Sequence, residues 1–96
     1  MDILVCYDVS TETPDGRRRL RRVARACEGS GQRVQLSVFE CTLSDADYVR
    51  LRDKLLAIID PAEDSLRLYR LMAPRGQSIE AYGIDRYVDF TAPLVV

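Results

Sequence analysis

Hydrolytic chemistry has few places to reside in this chain, and the first of them is Asp8. The 96 residues include no histidine, which removes the imidazole general base, the Ser/His and Cys/His dyads and the usual zinc ligands. What remains is a carboxylate working with a hard divalent cation. Asp8 ends the apolar run Ile3-Leu4-Val5-Cys6-Tyr7, which reads as a strand buried on both faces, and it stands just before a segment loaded with arginine. A carboxylate delivered by an apolar strand towards strong positive charge is a candidate metal ligand beside a phosphate site. The plainer reading is that Asp8 caps the turn it forms with Val9 and Ser10. Position alone leaves both open.

The positive charge is concentrated. The net charge is -1, yet between Arg17 and Arg33 seven arginines face Glu28 alone, while the remainder carries an excess of seven acidic residues. Thirteen of the fourteen basic residues are arginine, the exception being Lys54; arginine grips phosphate with a planar, bidentate fork. A GC-rich genome would also enrich arginine, but it would not cluster it. In the helix expected over Gly16 to Glu28, Leu20, Val23, Ala24 and Cys27 recur at i, i+3, i+4 and i+7 as an apolar stripe. Arg18, Arg21, Arg22 and Arg25 then fall on the opposite face, and Arg17 and Arg19 flank the stripe. A solvated surface is the ordinary explanation of such a face. Four like charges on one stripe repel one another, however, and a polyanion would relieve that repulsion.

The elements that position these residues follow from periodicity and punctuation. Pro14-Asp15-Gly16 opens the arginine helix and Gly29-Ser30-Gly31 closes it. Arg33 to Cys41 alternates, with Val34, Leu36 and Val38 on one face and Arg33, Gln35, Ser37 and Phe39 on the other; it reads as one strand, or as two short strands divided by a kink. Ser44 caps a second helix with Asp47 three residues on, its apolar face holding Tyr48, Leu51, Leu55, Ile58 and Ile59 before Asp60-Pro61 ends it. Ser65 to Met72 reads as a further strand and Ala73 to Gln77 as a loop. Ile79, Tyr82, Ile84, Tyr87, Val88 and Phe90 suggest one or two short strands before the apolar tail Leu94-Val95-Val96.

This order predicts a single ferredoxin-like α/β sandwich over 1–96, an antiparallel sheet with two helices on one face, its core over about 1–72 and its segment 73–96 serving dimerisation. A domain this small buries only roughly 60 to 65% of its unfolded surface, so a partner subunit over the second sheet face is the natural expectation. No stretch approaches a membrane span and no signal peptide opens the chain, which points to the cytoplasm. Cys6, Cys27 and Cys41 are odd in number and widely spaced, and read as reduced thiols packed as small hydrophobes.

Four ordered motifs carry a family resemblance: Val5-Cys6-Tyr7-Asp8-Val9-Ser10; the arginine helix through Arg22-Val23-Ala24; Gly31-Gln32-Arg33 through Val38-Phe39-Glu40; and Ile59-Asp60-Pro61 through Asp64-Ser65-Leu66-Arg67-Leu68-Tyr69. Together they resemble the second CRISPR-associated protein family, the small partner of the CRISPR integrase in spacer acquisition. The resemblance runs from the first strand to about Met72. It implies a ferredoxin-like homodimer that binds double-stranded DNA as the bridge of an integrase complex, with Mg²⁺-dependent endonuclease activity on RNA or DNA in some members. The family's metal aspartate maps onto Asp8, its basic helix onto the Arg18 to Arg22 region, and the Arg and Phe of its second motif onto Arg33 and Phe39. The turn Thr11-Glu12-Thr13-Pro14-Asp15 is a little longer than is usual there, which blurs the match of individual arginines.

On that footing Asp8 from each of two protomers would hold one Mg²⁺, with the nucleic acid on Arg18, Arg19, Arg21, Arg22, Arg25 and Arg33. Tyr7, Ser37 and Phe39 are weaker site candidates: a strand serine is more often packed than catalytic, Phe39 suits the core or an interface, and Tyr7 an interface. A scaffold that bridges DNA to the integrase without hydrolysis uses the same dimer and the same arginines. A small-effector regulatory domain would leave the arginine stripe unexplained.

Overall fold

Alternating burial along Asp2–Asp8 makes β1 a strand with two unlike faces: Ile3, Val5 and Tyr7 are buried, while Leu4 and Cys6 are only half-buried and Asp8 is exposed. The expectation of burial on both faces therefore holds for one face of the strand. The structure, a computed structural model, describes residues 1–83. After β1 come α1 (Pro14–Glu28), β2 (Gln32–Gln35), β3 (Val38–Thr42), α2 (Asp45–Ile58), β4 (Ser65–Arg70) and the short α3 (Arg75–Ser78), which stands where a loop was expected. The sheet order is β2-β3-β1-β4 and every pairing is antiparallel, the ferredoxin-like arrangement. Of the strand positions expected after Met72, Ile79 and Tyr82 stand in no strand, whereas Ile84, Tyr87, Val88 and Phe90, and the dimerising tail Leu94-Val95-Val96, lie outside the described residues.

Helix α1 begins two residues earlier than its apolar stripe suggests, because Thr13 takes the N-cap: its Oγ1 accepts the Gly16 N–H at 3.1 Å, with Pro14 in the first turn. A side chain at Gly16 would run into the Ser10 carbonyl oxygen, so this glycine lets α1 pack directly against the loop that leaves β1. The helix buries Gly16, Val23, Ala26 and Cys27, with Ala24 half-buried. It is thus rolled towards the Ala26 flank of the expected stripe. Helix α2 is capped by Ser44, which accepts the Asp47 N–H at 3.1 Å, and it buries Tyr48, Leu51, Leu55 and Ile58 as its spacing predicts.

The segment from Arg33 to Cys41 is a hairpin, so the single alternating strand gives way to the two-strand alternative. The chain reverses at Leu36-Ser37, and the register slips between Arg33 and Gln35, which breaks the alternation with a bulge at Val34. Leu36 consequently lies at the turn, 77% exposed, while Phe39 is fully buried. Ile3, Val5, Tyr7, Phe39 and Cys41 meet Val23, Cys27, Tyr48, Leu51 and Leu55 in one core between sheet and helices. Among the described residues no helix is long and apolar enough to cross a membrane.

Candidate metal and nucleic-acid site

Cross-strand partners in an antiparallel pair share a face of the sheet. Asp8 pairs with Ser65, Cys6 with Arg67 and Leu4 with Tyr69, whereas Tyr7, Val5 and Ile3 pair with Leu66, Leu68 and Arg70. The second set faces the helices. Asp8 therefore lies on the open face, at the end of an inner strand and exposed to solvent.

The loop that follows it is held by a buried carboxylate that sequence reasoning missed. The Asp64 side chain is fully buried and accepts four hydrogen bonds: from the Ser10 N–H at 3.1 Å, the Asp60 N–H at 2.8 Å, Arg19 Nε at 2.8 Å and Arg19 NH2 at 3.3 Å. The Arg19 guanidinium beside it, together with these amides, holds its carboxyl below the usual carboxylate range against the opposing effect of burial. The loop after Asp8, helix α1 and the turn before β4 are tied at one point. Arg19, expected among the phosphate-binding arginines, is thus engaged inside the protein, with a further contact to Glu63 at 3.3 Å and only 15% of its side chain exposed. A helical signal for this existed. At 100° per residue Arg19 lies inside the arc spanned by Gly16, Val23, Ala26 and Cys27, about 30° from its middle, and so does not belong to the outer face.

Arg18, Arg21, Arg22 and Arg25 are exposed on the outward side of α1, as the spacing predicts. Arg18 pairs with Asp15 at 3.4 Å in an exposed contact of the kind worth about 0–1 kcal/mol. Arg33 pairs across the strands with the buried Phe39, so it too points to the helix side; its guanidinium lies 5.1 Å over the Phe39 ring and meets Glu28 at 3.2 Å. The arginine cluster and Asp8 consequently occupy opposite sides of the sheet. The sequence places them side by side, but the strand's alternation separates them.

The weaker candidates divide as well. Tyr7 and Phe39 are core residues stacked at 6.2 Å between centroids, and the Tyr7 hydroxyl donates to the Leu36 carbonyl at 3.3 Å. Burial pushes the Tyr7 phenol up, and neither ring reaches the open face. Ser37 is half-buried at the hairpin turn, where its carbonyl accepts the Tyr7 N–H at 3.1 Å. Burial pushes the Cys27 thiol up to about 12 and Cys41 up to about 11, so both are protonated at neutral pH and serve as packing groups. It also raises the half-buried Cys6 thiol, an effect that Arg67 across the strand opposes.

Among the described residues no three His, Cys, Asp or Glu side chains gather into a metal-binding group. A single exposed carboxylate such as Asp8 is nevertheless compatible with Mg²⁺, which uses one or two carboxylates and fills its remaining positions with water and substrate phosphate.

Comparison with known proteins agrees with this architecture. Residues 1–78 match the family described as CRISPR associated protein Cas2. The chain is 52% identical over 96 residues to a protein of Moorella thermoacetica named CRISPR-associated endoribonuclease Cas2 1, and 50% identical over 96 residues to CRISPR-associated endoribonuclease Cas2 of Chlorobaculum tepidum, covering all of each chain in both cases. The crystal structure of Streptococcus pyogenes Cas2 at pH 6.5 superposes with a TM-score of 0.77 at 49% identity, over 86% of this chain and all of the other.

Proposed function

Because the chain belongs to the Cas2 family of CRISPR-associated proteins, we propose that it is a Mg²⁺-dependent endonuclease acting through Asp8, and that it binds double-stranded nucleic acid on the outer face of α1. The observation that carries the first half is the placement of Asp8: an exposed carboxylate at the end of a rigid inner strand, its following loop fixed by Asp64, in a chain without histidine. The names of the Moorella and Chlorobaculum relatives, both endoribonucleases, support hydrolysis of RNA.

The open face supplies the dimer. Leu4, Cys6 and Val38 are half-buried there, an apolar surface that a second copy would cover by packing sheet on sheet about a two-fold axis. Such packing brings the two Asp8 carboxylates together, where without a cation they would repel. A Mg²⁺ ion bound by that pair would polarise the scissile phosphate and acidify a water for attack on phosphorus. Asp8 contributes the hard oxygen ligand, and the Asp64 clamp on Ser10 restrains the backbone that presents it.

The separation of the arginine face from Asp8 supports a second role. Arg18, Arg21, Arg22, Arg25 and Arg33 stand on the side opposite Asp8, so a duplex can be held there without approaching the hydrolytic carboxylate. That is what a DNA scaffold for the CRISPR integrase subunit requires. Purified wild type and Asp8→Asn, incubated with labelled RNA and duplex DNA with and without EDTA, test the enzymatic reading. Cleavage should fall by orders of magnitude in the variant and in EDTA while the duplex stays bound. Equal cleavage by both proteins would remove Asp8 from the reaction, and no cleavage by either would leave the scaffold role alone.

A further inference from the structure

The geometry points to Arg67 as the phosphate-binding cation of the Asp8 face, oriented by Tyr69. This rests on the reading of Asp8 as the hydrolytic carboxylate, and it supplies what that reading lacks: positive charge on the same side of the sheet. The described strands contain three arginines. Arg33 and Arg70 accompany the core residues Phe39 and Ile3 on the helix side, and Arg70 lies 4.7 Å over the Tyr48 ring. Arg67 alone stands on Asp8's face, because Leu66 and Leu68 turn into the core and fix the parity of β4.

Asp8 is opposite Ser65 and Arg67 is opposite Cys6, which makes Arg67 the diagonal cross-strand neighbour of Asp8. Such neighbours are about 7–8 Å apart, within the reach of a long side chain. Arg67 is exposed, and among the described residues it forms no ion pair, whereas Arg18, Arg19 and Arg33 each have a carboxylate partner. Its NH1 donates to the Tyr69 hydroxyl at 2.9 Å. That bond anchors one corner of the guanidinium and leaves the rest of the fork for a phosphate.

Hydrolysis of a phosphodiester forms a bond from the water oxygen to phosphorus, breaks the bond from phosphorus to the leaving oxygen, and returns the water's proton to the leaving oxygen or to solvent. Charge on the non-bridging oxygens rises on the way. A fixed guanidinium facing those oxygens strengthens its grip at that moment, the kind of contact whose removal costs about 10² to 10³ in rate. Arg67 keeps its protons throughout.

Three variants test the assignment: Arg67→Ala, Arg67→Lys and Tyr69→Phe. Each is measured for cleavage of labelled RNA and duplex DNA, for duplex affinity, for mass by light scattering, and for backbone amide shifts during titration with inorganic phosphate in the absence of metal. Arg67→Ala should lose about 10² to 10³ in cleavage rate while remaining dimeric and binding duplex as wild type does. Lysine should restore part of the loss, and Tyr69→Phe should lose less than Arg67→Ala. In wild type, phosphate should shift the amides of 6–8 and 65–69, and in Arg67→Ala it should not. Full activity of Arg67→Ala beside an inactive Asp8→Asn would overturn the role of Arg67 alone, as would loss of the dimer or phosphate shifts that persist without Arg67. Full activity of Asp8→Asn would overturn the Asp8 reading itself.

Discussion

Replacing Asp64 by asparagine removes one charge from the best-satisfied polar site in the described fold. The carboxylate's two oxygens each accept one backbone amide and one bond from Arg19: Oδ1 serves Ser10 N–H and Arg19 NH2, and Oδ2 serves Asp60 N–H and Arg19 Nε. Asparagine has one oxygen. Whichever way its amide is turned, one of the two backbone N–H groups then faces another donor, at about 1–3 kcal/mol for an unsatisfied buried group. The other amide exchanges a charge-assisted bond for a neutral one, a further loss of about 1 kcal/mol. The expected destabilisation is about 2–4 kcal/mol, within the roughly 5–14 kcal/mol that 96 residues hold at about 0.05–0.15 kcal/mol per residue, so the variant should still fold. The folded pKa of Asp64 lies below its unfolded value. Its contribution is therefore fully present above the ordinary carboxylate pKa of about 4 and is lost as the pH falls through the lower folded value. Urea unfolding of both proteins at one protein concentration should give the full gap at pH 7 and a gap that narrows steadily below about pH 4. A gap absent at pH 7, or unchanged at pH 3, would refute the account of the clamp.

Gly16→Ala places a methyl group against the Ser10 carbonyl oxygen, so despite alanine's higher helix propensity it should lower the urea midpoint; an unchanged or raised midpoint would show that the loop yields freely. Arg18→Ala with Arg22→Ala should flatten the slope of log K for duplex DNA against log salt by about one to two units for each protomer in contact. An unchanged slope would place the duplex elsewhere.

Much of the fold is legible in the chain, and the failures have physical causes. The apolar run that ends in Asp8, the stripe of α1 and the face of α2 over Tyr48, Leu51, Leu55 and Ile58 are local periodicities, and local periodicity survives folding. The reversal at Leu36-Ser37 is not marked, because that turn contains no glycine, proline or asparagine. The Arg19 to Asp64 pair joins residues 45 apart, so one helical repeat shows that Arg19 turns inward but not what it meets. The division between Asp8 and the arginines depends on strand parity, and the position of Arg67 on the register of β1 with β4. Neither can be read before the sheet is assembled.

A metal site shared by the Asp8 carboxylates of two protomers is revealed by counting bound cations. Mn²⁺ is titrated into wild type and Asp8→Asn, with the free ion measured by electron paramagnetic resonance. One cation should bind for each pair of chains in wild type, and that site should vanish in Asp8→Asn while light scattering still reports a dimer. One cation per single chain, or the same binding in Asp8→Asn as in wild type, would contradict a shared site.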